Sequence, residues 1–154
     1  MKPDIKAVAL DVDGVLTDGK FSWGMDGSET KQFSFRDIMG ISLASRKGMI
    51  FALISGEQNV LIDRYAKKMQ IADVYQGCKD KAAALRSFAE ARRLDLANIC
   101  FMGDDVNDLG AMKIAGFSAT PSDGHDSVRA IVNHVTKHPG GCGAVRELLD
   151  FLLE

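Results

Sequence analysis

Three short apolar runs constrain this chain more than any other feature: residues 5–10 (IKAVAL, interrupted only by Lys6), 50–54 (IFALI) and 99–102 (ICFM). Each is too short for an ordinary helix, and each stops at a small or charged group: Asp11, Ser55 and Gly103-Asp104. Runs of this kind read as strands buried on both faces. Between and after them lie stretches with helical spacing. Residues 38–47 are amphipathic, and Gly48 stands where a helix would be capped. Residues 57–69 place Val60, Leu61, Tyr65 and Met69 on one face, and residues 80–93 carry an Ala- and Leu-rich face. Residues 105–115 and 144–153 read as further helices, and 73–75 and 117–119 as short strands. Strands alternating with helices mean an α/β protein, a parallel sheet with helices on both faces. One segment departs from the alternation. Residues 20–23 and 30–35 flank Met25-Asp26-Gly27-Ser28, and Asp-Gly between two β-prone runs signals a hairpin. No linker, repeat or low-complexity tract interrupts the pattern, so residues 1–154 read as a single domain.

Composition excludes several function classes. Hydrophobic residues make up 46% and charged residues 26%, a globular balance. A formal net charge of −2 gives no footprint for nucleic acid or for an acidic membrane surface. A small anionic substrate stays compatible with it, because a local site can be positive on a mildly acidic protein. Cys78, Cys100 and Cys142 are odd in number and widely spaced, without a metal or disulfide pattern. The polar start of the chain does not read as a signal peptide, and no apolar stretch approaches the ~18 residues of a membrane helix. The expectation is a cytoplasmic protein with no nucleic-acid or membrane partner.

The polar groups at the strand ends carry the chemistry. In open α/β sheets, ligands bind beyond the carboxyl ends of the strands. Here that edge collects Asp11 and Asp13, then Ser55, then Asp104 and Asp105, while Lys81 opens the helix after the weak fourth strand. An aspartate pair plus a third carboxylate suits Mg²⁺, a hard cation that prefers oxygen ligands. A metal also explains how so many carboxylates can sit together. Ser55-Gly56 offers a hydroxyl and a backbone N–H before a helix, and Lys81 offers a cation. Any one of these is a common cap or surface residue. Together they suit phosphoryl transfer, with one carboxylate as nucleophile and another as general acid and base.

Four segments, in order, resemble the haloacid dehalogenase superfamily of phosphatases along nearly the whole chain. They are Asp11-Val12-Asp13-Gly14-Val15-Leu16-Thr17, Ser55 after its strand, Lys81, and Gly103-Asp104-Asp105-Val106-Asn107-Asp108. The resemblance implies a Rossmann-like fold. It implies Asp11 as nucleophile and metal ligand, and Asp13 as general acid/base that also binds Mg²⁺ through its backbone carbonyl. It further implies Asp104 as the third metal ligand, and Gly14, Ser55, Gly56 and Lys81 around the phosphoryl group. Asp105 and Asp108 would orient Lys81 and metal-bound water. Superfamily members often carry a cap domain. Residues 14–54 are used by the hairpin and one helix, and 56–80 by one helix and a short strand, so no cap domain fits.

Among capless members the chain most resembles the 3-deoxy-D-manno-octulosonate 8-phosphate phosphatases. The match rests on residues 13–19 (DGVLTDG), Phe35-Arg36-Asp37 with Gly40-Ile41, Tyr75-Gln76-Gly77, and the tail Gly140-Gly141-Cys142-Gly143-Ala144-Val145-Arg146-Glu147. That group implies a homotetramer, with the hairpin at the subunit interface and a neighbour covering the open site. Two positions depart from its pattern: Glu57 and Cys142 stand where arginine is usual. Glu57, with Lys68 on the same helix, resembles instead the phosphatases of nine-carbon keto-deoxy sugar acid 9-phosphates, whereas Arg36 resembles the octulosonate group. Glu57 also reads as an ordinary first-turn helix acid. The substrate expectation is a keto-deoxy sugar acid phosphate, of eight carbons or alternatively nine, contacted by Arg36, Glu57 and Lys68. The glycine run 140–143 reads as an anion cradle or a turn, and Trp23, with Phe21 and Phe33, as ligand contacts or interface. A distant alternative is a phosphate-accepting receiver module. Its lysine would follow its last strand, whereas Lys81 precedes Asp104.

Overall fold

The computed structural model describes residues 2–154. Strand β1 (Ala7–Leu10) lies at the centre of a six-stranded sheet. It is flanked by β4 (Ile50–Ile54) on one side and β6 (Ile99–Met102) on the other. Strands β5 (Asp73–Tyr75), β7 (Phe117–Thr120) and β8 (His134–Val135) complete the order β5-β4-β1-β6-β7-β8, and every pairing is parallel. The chain runs from β1 through β4 to β5 at one edge, then crosses back to β6 on the other side of β1 and continues outward, so the crevice beside β1 is the topological switch point.

Side chains of β1 alternate between two cores. Val8 and Leu10 pack with α1 (Phe35–Arg46), α2 (Val60–Met69) and α6 (Ala144–Leu153). Ala7 and Ala9 face Leu85 and Phe88 of α3 (Lys81–Arg92) and Met112 of α4 (Leu109–Ile114). That two-faced burial is why the strands read as unbroken apolar runs. Phe88, Phe101, Leu10 and Leu53 are fully buried, each worth about 1.5–3 kcal/mol.

The expected hairpin is present as β2 (Ser22–Trp23) and β3 (Glu29–Thr30), turning through Gly27 at φ 84°. Its second arm is shorter than residues 30–35, because Ser34 caps α1 by accepting from the Arg36 N–H. Helix α2 begins at Val60 rather than residue 57, because the Asn59 side chain caps it. The stretch 105–115 divides into a 3₁₀ turn (Val106–Asp108) and α4. A short helix, α5 (Asp126–Arg129), and β8 fall in the unassigned stretch after β7. No cap domain is inserted, and among the described residues no helix is long and apolar enough to cross a membrane.

The tail from Gly140 to Glu147 and the Phe35-Arg36-Asp37 segment form one packing unit. Buried Asp37 of α1 accepts the Arg146 N–H in the first turn of α6 at 3.0 Å. Gly40 lies so close to Arg146 that a Cβ there would strike that residue's backbone and stem. Gly141 N–H donates to the Val15 carbonyl at 3.0 Å, so the glycine run braces the loop after β1. Of its two expected readings, the turn is the one observed.

Candidate active site

Asp11 is the first residue past β1, and its N–H still pairs with Met102 of β6 at 2.9 Å. The chain then coils tightly. Val12 carbonyl accepts from Leu16, and Thr17 Oγ1 accepts the N–H groups of Gly14 and Gly19, each at 3.2 Å. Gly14 adopts φ 83°, and a Cβ there would collide with the Asp104 carboxylate. Glycine is therefore required twice over, for its backbone and for the approach of the second acidic loop.

That second loop follows β6. Asp104, Asp108 and Asp11 each place a carboxylate oxygen within 4.8 Å of the others. Asp108 is fully buried and accepts from Asp104 N–H at 2.9 Å, Asp105 N–H at 3.2 Å and Lys81 Nζ at 2.7 Å. Lys81 also reaches Asp11 Oδ1 at 3.1 Å, and its side chain is 2% exposed. Burial works against the Lys81 charge, but Asp11 and Asp108 outweigh it and raise its pKa. Burial first, and then Asp108, push Asp11 well above the usual carboxylate range. Asp104 is raised to about 6, again mainly by burial. These carboxylates resist ionisation as they stand. A divalent cation between Asp11 and Asp104 would remove that resistance, so the residues fit the expected metal.

A cavity of about 640 Å³ opens over this cluster. Its walls include Asp11, Asp13, Ser55, Gly56, Glu57, Lys81, Asp104 and Asp105. Ser55 is buried at the end of β4, and its hydroxyl accepts the Glu57 N–H at 3.1 Å. The groups expected from four separate segments thus share one cavity, with Gly14 beneath them.

Other expectations are corrected. The N-terminus of α2 does not stand behind Ser55-Gly56, since Asn59 starts the helix later. Glu57 therefore precedes α2; it is neither a first-turn acid nor on one helix with Lys68, and no ion pair joins the two among the described residues. Lys68 lies over the Phe35 ring, 5.9 Å from its centroid, and away from the cavity wall. Arg36 lines a different cavity of about 600 Å³, with His138, Arg146 and Glu147. Asp105 does not hold Lys81. Its carboxylate accepts the Val106 N–H at 2.7 Å and caps the 3₁₀ turn. The cluster of side-chain carboxylates includes Asp108 beside Asp11 and Asp104. Yet Asp108 already spends its oxygens on Lys81 and two amides, which suits a supporting role better than a ligand's. Cys142 is exposed and lines neither cavity.

The structure adds residues that the strand-end pattern could not offer. Lys31, from just beyond β3, reaches Asp13 Oδ1 at 2.9 Å with its side chain 5% exposed. Glu29 and Asn107 also line the cavity, as do Phe21 and Trp23, two of the three hairpin aromatics that the sequence singled out; the third, Phe33, packs on Tyr65 with ring centroids 4.6 Å apart. Lys31 follows a hairpin strand and is distant in sequence from any strand end of the main sheet. Its only sequence signal was a lone lysine in an otherwise β-prone segment.

The haloacid dehalogenase-like hydrolase family model matches residues 57–148. The chain is 35% identical over 150 residues to 3-deoxy-D-manno-octulosonate 8-phosphate phosphatase KdsC of Escherichia coli K12, covering 97% of this chain and 80% of that one. The crystal structure of the Moraxella catarrhalis phosphatase of the same name, in complex with magnesium, phosphate and KDO, superposes with TM-score 0.95. It shares 36% identity and covers 98% of this chain and 87% of that one. The cobalt-bound Haemophilus influenzae phosphatase superposes with TM-score 0.94 at 32% identity, covering 98% of this chain and 88% of that one. A receiver module is excluded by this kinship as well as by the position of Lys81, and the nine-carbon alternative gains no support from these relatives. By fold, sequence and the grouping of its acidic strand ends, the chain belongs to the haloacid dehalogenase-like hydrolases, as a capless phosphatase of the 3-deoxy-D-manno-octulosonate 8-phosphate phosphatase group.

Proposed function

We propose that the protein is a Mg²⁺-dependent phosphomonoesterase that hydrolyses 3-deoxy-D-manno-octulosonate 8-phosphate through an aspartyl-phosphate on Asp11. One observation carries the reading: Asp11, Asp104, Ser55 and Lys81 converge on a single cavity beside a second aspartate, Asp13, that is free of the buried cluster.

An Asp11 oxygen attacks phosphorus, and the bond from phosphorus to the ester oxygen breaks. The electron pair stays on that oxygen, which takes a proton from Asp13 and leaves as the sugar alcohol. Asp13, now ionised, removes a proton from water as the water oxygen attacks phosphorus. The bond from phosphorus to Asp11 breaks, and inorganic phosphate departs. Lys81 and Ser55 hold the equatorial oxygens, and Asp108 keeps Lys81 aimed at Asp11. Mg²⁺, held by Asp11, Asp104 and the Asp13 carbonyl, would neutralise charge on the phosphoryl oxygens. Six carboxylate residues line the cavity against two lysines, so an anionic ester enters readily only with such a cation in place.

The eight-carbon substrate rests on kinship with the octulosonate phosphatases. A homotetramer fits the exposed apolar side chains Phe21, Trp23 and Met25 on the hairpin. The test is phosphate release, with and without Mg²⁺, from the eight-carbon ester, a nine-carbon keto-deoxy sugar acid 9-phosphate and a simple alkyl phosphate. Preference for the eight-carbon ester supports the assignment. Equal or better turnover of either other ester refutes it.

A further inference from the structure

Asp13 has an unusual dependence. Asp11 is held by Lys81 and by the Val12 N–H, and Asp108 by Lys81 and two amides. The Asp13 carboxylate has one partner among the described residues, the Lys31 ammonium at 2.9 Å. Lys31 does not belong to the main sheet. It arrives on the hairpin, with Glu29 Oε2 3.9 Å from its ammonium. Glu29 is itself fixed from two sides. Its Oε1 accepts the Trp23 indole N–H at 3.1 Å, and its Oε2 accepts from Asn59 Nδ2 at 2.6 Å. Asn59 is the residue that caps α2. A line of polar contacts therefore runs from the cap of α2 through Glu29 to Lys31 and ends on Asp13. Surface ion pairs contribute little. This one differs because the lysine side chain is nearly enclosed while the aspartate remains 31% exposed to the cavity.

We infer that Lys31 is a positioning residue for the reaction, holding the Asp13 carboxylate on the leaving-group side through the Glu29–Asn59 brace. The inference rests on the proposed role of Asp13 as general acid and base. The hairpin then has a function inside its own subunit: it orients the proton donor. A carboxylate with a single tether swings when the tether is cut, and proton transfer in the transition state depends on that orientation more than ground-state binding does.

The test compares Lys31→Met and Lys31→Arg with wild type, in single-turnover release of the leaving group from an alkyl phosphate and from p-nitrophenyl phosphate. The alkyl alkoxide needs a proton as it leaves, and nitrophenolate does not. Lys31→Met is expected to slow alkyl release roughly 10–100-fold, with KM changing by less than about threefold. The loss with the aryl ester is expected to be at least about tenfold smaller. Lys31→Arg restores most of the alkyl rate, since it returns a cation to the same place. In an Asp13→Asn background, Lys31→Met adds less than about twofold, because both changes disable one device. Thermal melts of each variant check the fold. Equal losses on both esters, no rescue by arginine, or additive losses in the double variant overturn the inference. Absence of turnover by the wild type on either ester would instead overturn the phosphatase chemistry beneath it.

Discussion

Replacing Lys81 by methionine isolates the electrostatics of the site. The ammonium lies 2.7 Å from Asp108 and 3.1 Å from Asp11, and all three side chains are 7% exposed or less. Methionine fills most of the lysine volume, so the change removes charge rather than packing. Two buried carboxylates then face each other without a cation. Breaking a buried pair from one side costs about 3–5 kcal/mol. At ~2–4 °C per kcal/mol for a chain of this size, the melting temperature should fall by roughly 6–20 °C in the absence of metal. The pH dependence has a definite sign. The folded-state pKa of Asp11 already lies above its unfolded value, chiefly through burial, and Lys81 is the group that pulls it down. Without Lys81 the folded pKa rises further. A raised carboxylate is stabilising relative to the ionised form at low pH, and that advantage is lost as pH rises through the folded pKa. The deficit of Lys81→Met is therefore larger at pH 7.5 than at pH 5, and added Mg²⁺ recovers part of it. Urea denaturation at both pH values, with EDTA and with Mg²⁺, measures the effect. A deficit under about 1 kcal/mol at pH 7.5, or one that grows toward pH 5, would refute this account of the cluster.

Three further outcomes follow from the geometry. Mg²⁺ should raise the melting temperature of the wild type, and its affinity should weaken as pH falls through about 6, where Asp104 takes up a proton; calorimetric titration at several pH values reads this directly. Gly14→Ala forces a left-handed alanine and drives its methyl into the Asp104 carboxylate, so Mg²⁺ affinity should drop by tenfold or more, roughly; an unchanged binding isotherm would contradict that packing. Phe101→Ala empties a fully buried site on β6 and should cost about 3–5 kcal/mol in denaturant unfolding.

The sequence disclosed the parts of this molecule whose signals are local. Residues 50–54 and 99–102 are apolar without interruption because both faces of β4 and β6 are covered, and the observed bounds are identical. Asp11, Ser55, Lys81 and Asp104 were legible because an α/β sheet assigns strand ends to one edge. The starts of α1 and α2 were misplaced because Phe33 and Phe35 look β-prone, and because Glu57 and Gln58 look helical until the Asn59 cap is seen. Lys31 was hidden for a deeper reason. Its meaning depends on where a hairpin folds back over the sheet, and hairpin placement is tertiary information. Arg36 and Lys68 show the converse. They carried a resemblance, yet within one subunit neither reaches the cavity that holds Asp11.

Asp11 is proposed as the phosphoryl acceptor. The most direct test is Mg²⁺-dependent phosphate release from 3-deoxy-D-manno-octulosonate 8-phosphate by the wild type and by Asp11→Asn, with folding confirmed by melting. Steady release by the wild type and loss of at least about 10³-fold in the variant are expected. Release by Asp11→Asn at a rate near that of the wild type would contradict it.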